Sequence, residues 1–188
     1  YELEREDKIS ILIPNKDHVD DLRRCIDSIK ERSTYENYEI IVIENNSTEK
    51  GTFDYYKTLE GQDKITVVTY EGEFNYARIN NFGASAATGE YLLLLNNDTQ
   101  VISRNGLEAM LMYAQRPDVG AVGAKLYYGD RTIQHAGVVV GLGAHGTAGH
   151  THYKINYDNL GYMGKLCYAQ NVSAVTGACL MVKKSIYD

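Results

Sequence analysis

The chain has 188 residues and a net charge of −6, with 19 lysines and arginines against 25 aspartates and glutamates. This length is enough for one well-buried domain and short for two, and the acidic balance excludes nucleic acid as the main partner. No stretch approaches the roughly 20 apolar residues that a membrane-spanning helix requires. The three cysteines, Cys25, Cys167 and Cys179, are odd in number and far apart, which predicts a reducing location, the cytoplasm or the inner face of its membrane.

The first part of the chain alternates between short apolar runs and helical patterns. Residues 1–7 are polar and begin with Tyr1 rather than Met, which predicts a leader that belongs to a longer chain. From residue 8 onward, apolar runs closed by turn residues predict five strands, at residues 9–13, 39–43, 65–68, 91–95 and 119–127. Apolar residues spaced three and four apart predict helices at residues 19–29, 53–59, 76–87 and 107–114, the last capped by Ser103 and ended by Pro117.

Strands that alternate with helices predict an α/β fold, with a mostly parallel central sheet that helices cover on both faces. The pattern changes after Tyr128, where glycines crowd residues 137–149 and helical periodicity is lost until Lys183. Extended segments and loops are expected there, with a last strand at residues 178–182. We therefore expect a single domain over residues 8–188 that changes character after residue 128.

Polar loops follow the first four predicted strands. They are residues 14–17, 44–47, 70–72 and 96–99, and each contains a carboxylate. In an open parallel sheet, ligands bind in the crevice at the carboxyl ends of the strands, so these loops are the expected binding site. Turn and helix-cap chemistry explains any one of them equally well, and the agreement of all four favours a site.

The kind of ligand follows from what these loops lack. The first loop has no G-x-G-x-x-G motif, which argues against dinucleotide binding, and the chain has no P-loop motif. An acidic protein without a glycine cradle needs a cation to hold a diphosphate. Asp98 directly follows an apolar strand and is the expected oxygen ligand of Mg²⁺ or Mn²⁺. An Asx turn before Ser103 is the alternative role for Asp98.

Several segments, taken in order, resemble family 2 glycosyltransferases. The opening strand SILIPNKD (10–17), the second strand and its acid EIIVIENNS (39–47), and NNFG (80–83) followed by ATGEYLLLLNND (87–98) are similar to the family's nucleotide-binding half. QHAG (134–137) and SAVTGAC (173–179) resemble the bacterial rhamnosyltransferase-like subgroup. The resemblance runs from about residue 8 to the end of the chain.

The resemblance implies a GT-A fold and transfer of a sugar, with inversion, from a UDP- or dTDP-sugar to a saccharide or lipid-linked saccharide in bacterial cell-surface polysaccharide synthesis. Residues 8–128 would be the nucleotide-binding half, and residues 129–188 the start of the acceptor-binding half. The implied donor-binding residues are Pro14, Asn15, Asp17, Glu44, Asn46, Arg78, Asn81, Asn97 and Asp98, and Asp98 is also the implied metal ligand.

This chain departs from the family pattern at three positions. Glu44 stands where the family usually has Asp, and Asp98 is the single carboxylate left of the Asp-x-Asp metal motif. The family's Ala-Arg-Asn triplet reads Ile-Asn-Asn at residues 79–81, and Arg78 is the expected substitute for the missing phosphate-binding arginine.

The family's catalytic base lies in a Gly-Gly-Phe-Asp-Glu-like segment, which this resemblance places beyond residue 188 together with a metal-binding histidine. We therefore expect no catalytic base within residues 1–188, and donor binding without transfer to an acceptor. Asp158 and the loop at residues 145–152 are the alternative sources of a base within the chain.

Three alternatives stay open. The histidines His135, His145, His150 and His152 form either a zinc site or, as their loose spacing favours, loop histidines near the acceptor or the diphosphate. A nucleotidyltransferase has a similar sheet, but it would carry a glycine- and arginine-rich loop at residues 14–17. A non-catalytic carbohydrate- or partner-binding domain is the third alternative, and further domains of a longer chain are expected partners.

Overall fold

The computed structural model describes residues 2–142 and 146–187. The chain forms two compact units. Unit 1 comprises residues 1–122 and 181–188, and unit 2 comprises residues 123–180. None of the helices in the described part of the chain combines the length and the apolar character that a membrane crossing demands.

A six-stranded sheet organises unit 1, with strand order β3-β2-β1-β4-β10-β5. The strands are β1 (Ile9–Asn15), β2 (Tyr38–Glu44), β3 (Ile65–Thr69), β4 (Tyr91–Leu95), β5 (Ala121–Gly123) and β10 (Cys179–Lys183). β1 pairs in parallel with both β2 and β4, and β2 pairs in parallel with β3. β1, β2 and β4 are almost wholly buried, as expected for central strands of a parallel sheet covered on both faces.

Helices connect the strands of unit 1. They are α1 (Val19–Arg32), α2 (Lys50–Leu59), α3 (Tyr76–Ala86), α4 (Gly106–Ala114) and the short α5 (Lys184–Tyr187). α1 buries one apolar face that includes Leu22, Ile26 and Ile29, which is the periodicity seen in the sequence. α3 approaches β2 so closely that a Cβ at Gly83 would lie 2.3 Å from the Cδ1 atom of Ile43. The predicted α/β fold with a mostly parallel central sheet is confirmed.

Two local predictions are wrong. Residues 119–127 do not form one strand, because β5 joins the large sheet and the chain then pairs β6 (Leu126–Tyr127) with β7 (Ile133–His135) in an antiparallel hairpin. Ser103 does not cap α4, which begins at Gly106. The backbone carbonyl of Ser103 accepts a hydrogen bond from the amide of Gly106 at 3.1 Å, so residues 103–106 form a turn that precedes the helix.

Unit 2 consists of short hairpins and loops, as the loss of helical periodicity predicted. β6 pairs with β7, and β8 (Val138–Val140) pairs with β9 (Ala148–His150) in antiparallel fashion. A 3₁₀ turn follows at Tyr162–Gly164. Buried apolar side chains are few among the described residues of this unit; they include Ile133 and Leu166.

Candidate functional site

The order of the strands in unit 1 locates the edge where a ligand is expected. β2 and then β3 lie on one side of β1, and β4 lies on the other side of β1. The carboxyl ends of β1 and β4 therefore form a topological switch point, which is where open α/β sheets bind ligands. Because the first four strands are parallel, the loops that follow them lie at this same edge.

A chain of hydrogen bonds crosses the switch point and continues behind it. The side-chain amide of Asn97 donates to the Oδ1 atom of Asn15 at 2.6 Å. The Nδ2 group of Asn15 donates to the Tyr56 hydroxyl at 2.7 Å, and that hydroxyl donates to Glu44 at 2.6 Å. Asn15, Glu44 and Tyr56 are all buried. The predicted residues Asn15, Glu44 and Asn97 are thus brought together by a tyrosine from α2.

The Glu44 carboxylate is satisfied by the chain itself. It accepts hydrogen bonds from the amide and the hydroxyl of Ser47, each at 2.6 Å, in addition to the one from Tyr56. Burial and the neighbouring carboxylate raise the pKa of Tyr56 well above its usual value, so the phenol remains a donor. Glu44 therefore fixes the turn after β2.

Asp17 ties the first loop to the second. Its carboxylate accepts hydrogen bonds from the amides of Thr48 and Glu49 at 2.8 and 2.9 Å, and its own amide donates to the Ser47 hydroxyl. These backbone hydrogen bonds hold the pKa of Asp17 below its usual value. Asp17 and His18 both have positive φ, at 53° and 49°, which turns the chain sharply between β1 and α1.

Asn45 is a residue of these loops that the sequence did not single out. Its Nδ2 group donates to the backbone carbonyls of Tyr70 and Gly72, which tethers the third loop to the second. Its Oδ1 atom is buried and accepts no hydrogen bond within the described residues. Asn46, which was predicted, lies at the same turn with φ 59° and donates to the Gly72 carbonyl at 2.7 Å.

The residues predicted on α3 lie on its exposed side. Asn75 caps this helix, since its side chain accepts a hydrogen bond from the amide of Arg78 at 3.0 Å. The Arg78 side chain is exposed in the first turn, and Asn81 follows one turn later, where it accepts a hydrogen bond from Tyr187 at 2.9 Å. Pro14 is half-buried near the end of β1.

Asp98 is exposed directly beside the Asn97–Asn15 hydrogen bond. The described residues contain no group of three histidine, cysteine or acidic side chains that would hold a metal ion. A divalent cation that is bound together with a diphosphate needs fewer protein ligands, because Mg²⁺ is commonly held by one or two carboxylates with phosphate and water oxygens. One free carboxylate at the switch point fits that mode of binding.

The histidines of unit 2 form one pair. The Nδ1 atoms of His135 and His150 lie 2.9 Å apart, and the amide of Thr176 donates to the Nε2 atom of His135 at 3.4 Å. Burial, with His150 nearby, lowers the pKa of His135 to about 4. His152 is not part of this pair, and His145 lies outside the described residues.

Comparison with known proteins identifies the class to which this fold and site belong. The sequence pattern of glycosyl transferase family 2 matches residues 10–188, and the chain belongs to this family. Among solved structures, the chain is similar to the mannosyltransferase PcManGT from Pyrobaculum calidifontis, solved in complex with GDP-Man and Mn²⁺. The TM-score is 0.59 at 20% identity, covering 68% of this chain and 37% of that one, which confirms the GT-A fold.

Individual relatives are longer than this chain. The uncharacterized protein y4gI of Sinorhizobium fredii is 45% identical over 96% of this chain and 20% of its own length. The O-antigen biosynthesis protein RfbC of Myxococcus xanthus is 36% identical over all of this chain and 15% of its own length. The glycosyltransferase GlyG of Streptococcus pneumoniae is 26% identical over 66% of this chain and 40% of its own. The chain thus spans a fifth or less of the first two relatives.

Proposed function

We propose that unit 1 binds a nucleotide-diphosphate sugar at the switch point between β1 and β4, as the donor in an inverting glycosyl transfer. The observation that carries this proposal is the Asn97–Asn15 hydrogen bond at 2.6 Å across the switch point, with the free Asp98 carboxylate beside it. The bond fixes the loops after both strands, so that a ligand meets a preformed surface.

The nucleoside would lie against the loops after β1, β2 and β3. Glu44 and Asp17 hold these loops through hydrogen bonds to Ser47, Thr48 and Glu49. Asn45 holds the loop after β3 against the loop after β2, because its Nδ2 group donates to the carbonyls of Tyr70 and Gly72. UDP and dTDP are our first candidates, and the GDP-Man bound to PcManGT adds GDP to the nucleotides to be tested.

The diphosphate would lie between Asp98 and the exposed Arg78. Asp98 would hold Mg²⁺ or Mn²⁺, and the Mn²⁺ found with PcManGT supports the choice of a divalent ion. The bound ion supplies positive charge that stabilises the leaving diphosphate. The acceptor hydroxyl attacks the anomeric carbon from the opposite face and loses its proton to a base, while the bond from that carbon to the diphosphate oxygen breaks, which inverts the configuration.

We propose that the base is not Asp130, one of the two carboxylates of unit 2. The amide and the hydroxyl of Thr132 donate to Asp130 at 2.9 and 2.6 Å, and these hydrogen bonds hold its pKa below the usual value. A carboxylate with a lowered pKa is a weaker base. We expect the base beyond residue 188, with Asp158 and the loop at residues 145–152 as the alternatives within the chain.

The biological setting is proposed on the relatives. RfbC is named for O-antigen biosynthesis, which supports a role in bacterial surface polysaccharide synthesis with a saccharide or lipid-linked acceptor, at the cytoplasmic face where nucleotide sugars are found. The segments at residues 134–137 and 173–179 support the rhamnosyltransferase-like subgroup.

Calorimetric titration tests the donor site. UDP, dTDP, GDP and the corresponding monophosphates are titrated into the chain with and without Mn²⁺. We expect at least one diphosphate to bind, and to bind more tightly with Mn²⁺. Mn²⁺ should raise the affinity of the monophosphates less, because they offer the ion fewer oxygens. The absence of heat with every diphosphate at millimolar concentration would contradict the proposal.

A further inference from the structure

Two pairs of tyrosines, each with a cation over one of its rings, flank the β6–β7 hairpin of unit 2. We call this group the tyrosine–cation cluster; it comprises Tyr127, Tyr128, Arg131, Tyr153, Lys154 and Tyr157. The rings of Tyr127 and Tyr157 meet edge to face at 6.4 Å, and those of Tyr128 and Tyr153 at 6.1 Å. The two ring pairs repeat the same geometry on neighbouring backbone segments.

Backbone hydrogen bonds fix these segments against each other. The amide of Tyr128 donates to the Thr132 carbonyl at 2.8 Å, which closes the hairpin. The amide of Lys154 donates to the Ile133 carbonyl, and the amide of Tyr157 to the Arg131 carbonyl, each at 2.9 Å. Residues 154–157 therefore lie beside the start of β7, where Asn156 also forms an isolated bridge with Thr132, and the cluster has a defined backbone frame.

Cations lie over the rings in the same cluster. The Lys154 Nζ atom is 3.8 Å from the centroid of the Tyr128 ring, and the Arg131 Cζ atom is 5.5 Å from that of Tyr157. Lys154 also lies 3.7 Å from Asp130, whereas Arg131 forms no ion pair with a carboxylate of the described residues. The Arg131 guanidinium is therefore positioned over the Tyr157 ring, and its N–H groups remain available to an anion.

The backbone at both cations is strained. Arg131 has φ 64° and Lys154 has φ 62°, in the left-handed region that non-glycine residues rarely occupy. Both side chains nevertheless end over tyrosine rings. Strain at residues that display exposed charged groups is common at binding sites, where the surrounding structure maintains it.

The charge of unit 2 is opposite to that of the rest of the chain. Residues 123–180 contain four of the 19 lysines and arginines and two of the 25 acidic residues, which gives a net charge of +2 against −8 for the remainder. A unit with net positive charge in an acidic protein favours an anionic ligand. The exposed fractions of Tyr153 and Tyr157, 53% and 46%, leave ring faces open beside the cations.

We propose that the tyrosine–cation cluster binds a saccharide that carries a phosphate or a carboxylate, and that this saccharide belongs to the acceptor. The apolar C–H face of a sugar ring packs on the exposed tyrosines, and the Arg131 guanidinium binds the anionic group through two parallel hydrogen bonds. The proposal rests on the proposed glycosyltransferase function and names the class of its acceptor.

Binding of three trisaccharides to the chain tests this site. Maltotriose is neutral, maltotriose 1-phosphate carries a phosphate, and a trisaccharide of glucuronic acid carries carboxylates. We expect at least one charged probe to bind about tenfold more tightly than maltotriose at low salt. Its affinity should fall as salt is raised. The preferred probe tells whether the acceptor's charge is that of a sugar phosphate or of an acidic sugar. Equal binding of all three, or no binding, overturns the proposal.

Variants locate the site. Arg131→Gln removes the charge and should weaken binding of the charged probe about tenfold, while binding of maltotriose should stay the same. Tyr153→Leu keeps an apolar side chain but removes the ring face, and should weaken every probe that binds. Tyr162→Ala is the matched control, because Tyr162 is 77% exposed in the same unit and outside the cluster. Weakening by Tyr162→Ala equal to that by Arg131→Gln would show that the site lies elsewhere.

The two proposals fail separately. UDP and GDP titrated into the same variants report on unit 1, and we expect Arg131→Gln to bind the donor nucleotide as the parent chain does. Nucleotide binding without binding of a charged saccharide overturns the acceptor site alone. Saccharide binding without binding of any nucleotide diphosphate overturns the proposed donor site.

Discussion

At the scale of single residues, Asp98 is the carboxylate on which we propose that metal binding depends. We expect Asp98→Ala to abolish the tightening of nucleotide-diphosphate binding by Mn²⁺, because the ion then loses its one protein carboxylate. The fold should be unaffected, since Asp98 is exposed and lies in a loop. Calorimetry with and without Mn²⁺ measures the change.

The control for this variant is Asp118→Ala, an exposed aspartate of unit 1 that pairs with Arg116. It should retain the full response to Mn²⁺. An unchanged response in Asp98→Ala would move the metal site away from the switch point.

Tyr56 connects two predicted site residues, and its hydroxyl is the next residue-scale test. Tyr56→Phe leaves Glu44 without one donor and Asn15 without one acceptor in a buried region. We expect the free energy of unfolding to fall by about 1–3 kcal/mol, and the donor nucleotide to bind more weakly because the first two loops loosen. Denaturant unfolding measures the first effect, with Tyr55→Phe on the same helix as the control. A Tyr56→Phe chain as stable as the control would contradict the role of the network.

These residues show how far the site can be predicted from sequence. Asn15, Asp17 and Asn97 were predicted from their positions after strands, and they do lie together at one edge because parallel strands end there. Tyr56 was predicted only as part of an apolar helix face, since periodicity shows where a side chain points but not which polar group its hydroxyl reaches. Asn45 resembled any other turn asparagine, and only the structure reveals its unpaired oxygen.

At the scale of secondary-structure elements, the packing of α3 on β2 depends on one glycine. A methyl group at Gly83 would lie 2.3 Å from the Cδ1 atom and 2.9 Å from the Cγ1 atom of Ile43, which is fully buried and has little room to move. We expect Gly83→Ala to lower the free energy of unfolding by about 1–3 kcal/mol. Thermal or denaturant unfolding measures the loss.

Gly51 in α2 provides the opposite case. Nothing lies within 4 Å of a Cβ built there, so Gly51→Ala should stabilise by about 0.5–1 kcal/mol through reduced entropy of the unfolded chain. Stabilisation by both substitutions would show that α3 does not need its close approach to β2.

The elements differ in how well sequence predicts them. The buried strands and the amphipathic α1 were predicted because a strand covered on both faces has an apolar run and α1 buries one regular stripe. The segment at residues 119–127 was mispredicted because its apolar run continues while its pairing changes from β10 to β7. Hydropathy does not record which neighbour a strand has. Ser103 was mispredicted because a serine before a helix suits a turn as well as a cap.

At the scale of the whole molecule, stability should depend on pH through unit 2. The pKa of His135 is lowered to about 4 by burial, so the folded state keeps this histidine neutral where the unfolded chain, with a pKa near 6.5, binds a proton. The stabilisation that comes from keeping His135 neutral is fully present above about pH 6.5. As pH falls toward 4 this part of the free energy of unfolding is lost, up to about 3 kcal/mol. Hydrogen exchange at amides of β7, followed from pH 7 to pH 4, measures this loss.

His135→Phe should flatten this pH dependence, because a buried phenylalanine does not titrate. His18→Asn is the control, since His18 is exposed in unit 1 and asparagine tolerates its left-handed backbone conformation. Equal pH dependence in His135→Phe and in the parent chain would contradict the assignment.

Above all, we propose that a nucleotide diphosphate and a divalent ion bind at the carboxyl edge of the sheet in unit 1. Paramagnetic broadening of amide signals by Mn²⁺, with UDP or GDP present, tests this most directly. We predict strong broadening at Asp17, Asn97 and Asp98 that depends on the nucleotide. Little broadening is expected at the opposite edge, where Lys8 bonds to Glu39 and Thr88. Broadening centred in residues 123–180, or broadening at Asp98 that ignores the nucleotide, would contradict the account.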